Sequence, residues 1–179
     1  MQPAVPIDVD ETSGIWRTDG LPMVYLPRHF LVNNHLAVEE ALGREAYRAM
    51  LRTATAKSAI EWCGAQLRDK GLDPEATFRH YFQRLSQRGW GQFSIDVLDT
   101  ADRRGSISLR NSIFALEAGQ RAGQSTGQRV CYMFEGFVTG AFSFLLGNSV
   151  ALPSNVEAGE VRCACEGHDH CRFDFAARP

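Results

Sequence analysis

Residues 159–175 read GEVRCACEGHDHCRFDF. Three cysteines, two histidines and several carboxylates share this short stretch. The run Glu166-Gly167-His168-Asp169 has turn composition and lies between strand-like segments, which predicts a hairpin returning Cys171 toward Cys163. Alternation along a strand places Val161, Cys163 and Cys165 on one face, and Cys171, Phe173 and Phe175 on one face of the returning strand. Arg162, Ala164, Arg172 and Asp174 face the other way, so the cysteine face is the inner one. Two inward cysteines on paired strands have three fates. They can form a disulfide, stay as plain buried thiols, or hold a metal with two further ligands. Zinc-finger spacing is absent. The local donors are Glu160, Cys163, Cys165, Cys171, His168 and His170, with the histidines at the solvated tip of the turn.

The rest of the chain narrows the setting. A length of 179 residues suits one domain with a sizeable core. A net charge of −2 gives no general drive toward nucleic acid or anionic membranes. The stretch CYMFEGFVTGAFSFLLG (131–147) is short for a membrane span and carries Glu135, so it reads as a buried helix. No secretory leader is expected in MQPAVPIDVDETSG (1–14). An odd count of five cysteines argues against a disulfide scaffold, and a cytoplasmic protein with reduced thiols is expected.

Hydrophobic period then places the elements. Residues 1–12 read as an extended arm. A hairpin is expected about Thr18-Asp19-Gly20, because Asp-Gly tolerates positive φ. Helices are expected over 31–42, 45–67 and 74–86, the last with Asp73 as N-cap and Pro74 at its first position. The second has an apolar stripe of Tyr47, Leu51, Ala54, Ser58, Trp62 and Ala65. Phe93, Ile95 and Val97 alternate with polar residues and predict a strand. SISLRNSIFALE (106–117) predicts a second strand whose parity slips near Asn111-Ser112, by a bulge or by burial of both faces. AGQRAGQSTGQ (118–128) reads as a mobile loop. A helix follows over 130–147, in which Gly136 and Gly140 predict a close approach by a neighbour. The expected fold is α+β, with helices on one face of an antiparallel sheet. The expected units are an arm and hairpin over 1–24 and a single domain over 25–179.

The order Glu160, Cys163, Gly167, Cys171, Phe173 is similar to the C-terminal signature of the 4-vinyl reductase domain. His168 stands where that family often has Asp. Cys131 opening a glycine-containing helix that ends in Leu-Leu-Gly, and the run LAVEEALGREAYRAMLRTATAKSAIEW (36–62), fit the same family. The resemblance implies the ligand-binding fold of the NO-signalling/Golgi-transport type. That fold is shared with sensor domains of phenol- and xylene-responsive activators and with palmitate-binding TRAPP subunits. It also implies zinc held by Cys131, Glu160, Cys163 and Cys171, with ALPSNVEAG (151–159) as extra loop. Three thiolates and a carboxylate would leave no open position, which is the mark of a structural site. Glu160 and Cys163, three apart, can meet one ion only if the strand bends, for which Gly159 is the expected place. Glu135, one helical turn after Cys131, is the alternative carboxylate ligand.

Cys131, Glu135, Val138 and Phe142 form one helical stripe. If Cys131 points inward, Glu135 does too, and then needs a partner such as an arginine; otherwise it is a surface glutamate. With Trp90, these residues are the candidate lining for a small hydrophobic or aromatic ligand. Phe93, Phe137 and Phe144 could add aromatic surface. No dinucleotide, phosphate-loop, zinc-protease or nucleophile-elbow motif is present, and Cys63 reads as core. The expected function is a zinc-stabilised binding domain acting as sensor, carrier or pathway accessory, forming a homodimer and signalling through a protein partner. The alternatives are an enzyme or subunit reducing a tetrapyrrole vinyl group, and an assembly adaptor.

Overall fold

The computed structural model describes residues 5–122, 127–147 and 155–178. Three short strands open the chain: β1 (Asp8–Asp10), β2 (Ile15–Thr18) and β3 (Leu21–Met23), paired antiparallel in that order. The predicted hairpin is β2–β3, with Asp19 and Gly20 both at positive φ, 54° and 77°. The expected arm supplies β1 as well. Asp19 is buried and ion-paired to Lys70 (2.8 Å), Arg84 (3.0 Å) and Arg88 (3.2 Å). These contacts fasten the hairpin tip to the helices below it.

Three helices follow, α1 (Arg28–Leu42), α2 (Arg44–Lys70) and α3 (Pro74–Gln87). Gly71 ends α2 in the left-handed conformation. Asp73 caps α3 by accepting from the Ala76 amide at 2.8 Å. The expected α2 stripe is wrong in its middle. Ala54 and Ser58 are exposed, while Ala56, Ala59, Ile60 and Cys63 face inward. The reason is the neighbour, the helix α5 (Met133–Leu145). A Cβ at Gly136 would overlap Thr55 Oγ1 and Arg52 O, and one at Gly140 would overlap Ala56 O. Small residues mark this interface because the two backbones nearly touch.

The second sheet is antiparallel in the order β4 (Gln92–Asp99), β5 (Arg104–Arg110), β7 (Cys171–Ala177), β6 (Val156–Arg162). Its inner face carries Ile107, Leu109, Cys171, Phe173 and Phe175, all buried against α3 and α5. The predicted second strand stops earlier than expected. Asn111 takes a positive φ of 53°, Ser112 accepts from the Ala115 and Leu116 amides, and Ile113 begins α4 (Ile113–Ala122). The slip in strand parity at Asn111-Ser112 was therefore a helix start. Helix α4 takes up part of the expected loop 118–128, whose residues 123–126 lie outside the described residues. So do 151–154 of the expected extra loop and 1–4 of the arm. The architecture is α+β, with helices packed on one face of the four-stranded sheet.

Candidate metal centre

Each cluster residue is positioned by a different device. Cys131 sits just before α5, its carbonyl accepting from Phe134 N at 3.0 Å. Glu160 lies near the end of β6, where the register shifts between Glu160 and Arg162. That bulge is the bend the geometry requires, and it falls at Val161, not at Gly159 as expected. It turns Val161 outward, 38% exposed, and leaves Glu160 facing in. Cys163 follows, and a short 3₁₀ turn, Ala164–Glu166, replaces the simple hairpin. Glu166 closes this turn by accepting from Cys163 N at 3.0 Å. Gly167 at φ 93° then reverses the chain toward Cys171, the first residue of β7.

These devices bring one donor atom each from Cys131, Glu160, Cys163 and Cys171 within 4.8 Å of one another, and all four residues are buried. Cys131 Sγ lies 3.6 Å from Cys171 Sγ, which lies 3.8 Å from Cys163 Sγ. Sulfurs set tetrahedrally at ~2.3 Å from a centre stand about 3.8 Å apart. Glu160 Oε2 accepts from Cys131 N at 3.0 Å, whereas Oε1 is buried with no hydrogen-bond partner. A buried carboxylate beside three thiols, one of its oxygens without a hydrogen-bond partner, fits a cation. Three sulfurs and one oxygen suit zinc among the common metals.

Electrostatics point the same way. Burial, then the neighbouring Cys163, pushes the Glu160 carboxyl up to about 9. Burial also raises the Cys131 thiol far above its ordinary range. Cys163 accepts from the Cys131 and Cys171 thiols and is held well below it. Ser112 Oγ stands 2.9 Å from Cys131 Sγ and reaches that sulfur from the start of α4.

Glu135 is not a surface glutamate. It is 1% exposed, and Arg48 of α2 grips it with two bonds of 2.9 and 2.6 Å. The same carboxylate accepts from Glu160 N at 2.9 Å. Glu135 therefore stands behind the cluster instead of within it, and the alternative ligand set falls away. Arg129 spans the other side, donating to Glu160 O at 2.9 Å and to Glu166 at 3.1 and 3.2 Å. Neither arginine carries a local sequence signal, because each acts across the fold.

The remaining predicted residues disperse. Cys165 is buried but turns its sulfur toward Ala115 O at 3.7 Å. His168 and His170 lie on the turn, outside the cluster. Val138 and Phe142 are fully buried, Phe142 stacking 4.6 Å from Phe175. Trp90 is half-buried and packs edge-on against Phe134 and Phe137 at 6.0 and 5.7 Å. Cys63 is core, its thiol pushed up to about 12 by burial. A groove of about 610 Å³ crosses the sheet's other face past Val97, Ser106, Gly159 and Arg172, away from the aromatic stripe.

A family model described as a domain of unknown function (DUF5943) matches residues 1–96. The chain belongs to that family. The DUF5943 match covers the opening sheet and the first three helices, and the cluster of Cys131, Glu160, Cys163 and Cys171 lies beyond it. No curated protein matches the chain. Among solved structures, the phenol-responsive sensory domain of the transcription activator PoxR, determined with phenol, is 18% identical at a TM-score of 0.76. The match covers 96% of this chain and 84% of that one. A trafficking protein particle complex subunit 3 from Naegleria fowleri, covalently bound to palmitic acid, is 15% identical at TM-score 0.54, covering 85% and 91%. A vinyl-4-reductase family protein from Methanocaldococcus jannaschii is 13% identical at TM-score 0.51, covering 88% and 85%. At these identities the likeness is one of fold alone: this DUF5943 chain shares its fold with the vinyl-4-reductase family protein and the phenol-responsive sensory domain.

Proposed function

We propose that the chain is a zinc-stabilised domain that binds a small hydrophobic or aromatic molecule in the cytoplasm. It would act as a sensor, carrier or pathway accessory. The observation that carries the reading is the convergence of Cys131, Glu160, Cys163 and Cys171, with Glu160 Oε1 buried and unpartnered. Four protein donors close the coordination shell, so the ion would tie α5 to the β6–β7 turn and supply no open site for catalysis. The fold of the phenol-binding sensory domain supports the ligand class. An apolar guest would be taken up by parting the packed side chains of Trp90, Phe134, Phe137, Val138 and Phe142, on the helix face that also carries Glu135. Among the described residues no helix is long and apolar enough to cross a membrane.

Native mass spectrometry of freshly purified protein tests this reading. A single zinc per chain together with a co-purifying apolar guest supports it, and the same spectrum reports whether the chain is a homodimer. A stable, metal-free protein that takes up no aromatic compound overturns it.

A second reading, an assembly adaptor, is favoured by the exposed apolar run Val24, Tyr25 and Leu26 with Phe30, at 75%, 47%, 50% and 51% exposure. A partner pulled down by the wild type and lost on Val24→Asp supports that reading.

A further inference from the structure

A vestibule of about 290 Å³ opens beside the cluster, bounded by Arg44, Arg48, Arg129, Tyr132, Glu135 and Glu160. Of the four cluster residues, Glu160 lines it; the three cysteines do not. A guest arriving through this vestibule therefore meets Glu160 before any of the three cysteines. Resting on the metal reading above, we infer that the ion enters and leaves through this vestibule, with Glu160 as the ligand that lets go and Arg129 as the latch that sets the rate.

The argument begins with charge. Three thiolates and a carboxylate around a divalent cation carry a net charge of about −2, which a buried site must offset nearby. Arg48 and Arg129 stand on the vestibule side, 42% and 50% exposed in their side chains, and offset part of it while each also pairs with an acid, Glu135 and Glu166. Their attachments differ. Arg48 reaches the cluster indirectly, through Glu135 to Glu160 N. Arg129 binds the segment that carries two of the ligands at both ends, Glu160 O on one side and Glu166 on the other. Glu166 in turn holds Cys163 N. Releasing Arg129 frees Glu160 to swing into the vestibule while the three sulfurs stay behind it. A carboxylate is also the weakest of the four donors toward zinc, so it is the one to dissociate first.

The test follows transfer of zinc from the loaded full-length chain to an excess of a chromogenic chelator. Partners that hold ligands in place typically change metal affinity by about 10- to 100-fold. Arg129→Ala is expected to release zinc at least about tenfold faster. Arg129→Lys, which keeps the charge but loses the fork, falls between, and Arg178→Ala, which breaks an exposed pair with Glu157, leaves the rate alone. The cobalt form of Arg129→Ala keeps the sulfur-to-cobalt charge-transfer bands, because the sulfurs remain bound. Release from Arg129→Ala at the wild-type rate overturns the latch while leaving the metal reading intact. A wild-type chain that takes up no zinc overturns both.

Discussion

Glu135 Oε1 accepts the backbone N–H of Glu160 at 2.9 Å while Arg48 holds the same carboxylate from α2. One buried side chain thus links two helices to the edge strand that carries a metal-ligand candidate. Removing Arg48 leaves this acid without its counter-charge. Arg48→Ala is expected to cost about 1–3 kcal/mol, less than a fully buried pair because Arg48 is partly solvated. Arg48→Ala combined with Glu135→Gln recovers part of the loss. Urea unfolding of the two variants measures the difference.

Cys163→Ser and Cys171→Ser each remove one donor of the cluster. Both are expected to lose zinc and about 3–5 kcal/mol of stability. Cys165→Ser leaves the zinc content unchanged, since its sulfur faces Ala115. Metal analysis alongside thermal melting separates the three.

Gly140 and Gly159 make a matched pair of substitutions. A Cβ at Gly140 runs into the Ala56 backbone of α2, whereas one at Gly159 meets nothing within 4 Å. Gly140→Ala is expected to destabilise by about 1–3 kcal/mol, with Gly159→Ala within about 0.5 kcal/mol of wild type. Chemical denaturation reads both.

His35 is 4% exposed and ringed by Tyr47, Phe114 and Tyr132 at 5.1, 4.6 and 5.2 Å. Burial lowers its pKa to about 4, against a modest opposing pull from Glu39. The unfolded chain takes up this proton near pH 6.5 and the folded chain does not. Stability from this group is therefore full above pH 6.5 and declines as pH falls toward 4, by about 2–3 kcal/mol in total. His35→Leu flattens the profile of unfolding free energy over that window. An unchanged slope in the variant assigns the pH dependence elsewhere.

The parts of the fold legible in the sequence were those with a strong local signal. Asp19-Gly20 announced its turn, Asp73-Pro74 its helix start, and Phe78, Tyr81, Phe82 and Leu85 their buried face. The α2 stripe was misread because packing against Gly136 and Gly140 selects small residues, which hydrophobic pattern undervalues. Ser112 was misread because a helix start and a strand bulge break alternation in the same way. At the site, the bulge at Val161 hid in a period-two pattern that ignores inserted residues. Arg48 and Arg129 were invisible because their partners lie 87 and 31 residues away along the chain.

Asp19 has a consequence for how the molecule opens. The first three strands leave Val9, Ile15 and Trp16 at 43%, 39% and 43% exposure and meet the helices through Leu21, the Gln66 bond to Asp19 O, and that carboxylate with the cations around it. Such a flap stores little apolar burial of its own. It can lift as a unit while the sheet and α5 stay assembled, so its amides should exchange with solvent through a partial opening well below the global one. The amino-terminal sheet is expected to open as a foldon of its own, hinged on a charge.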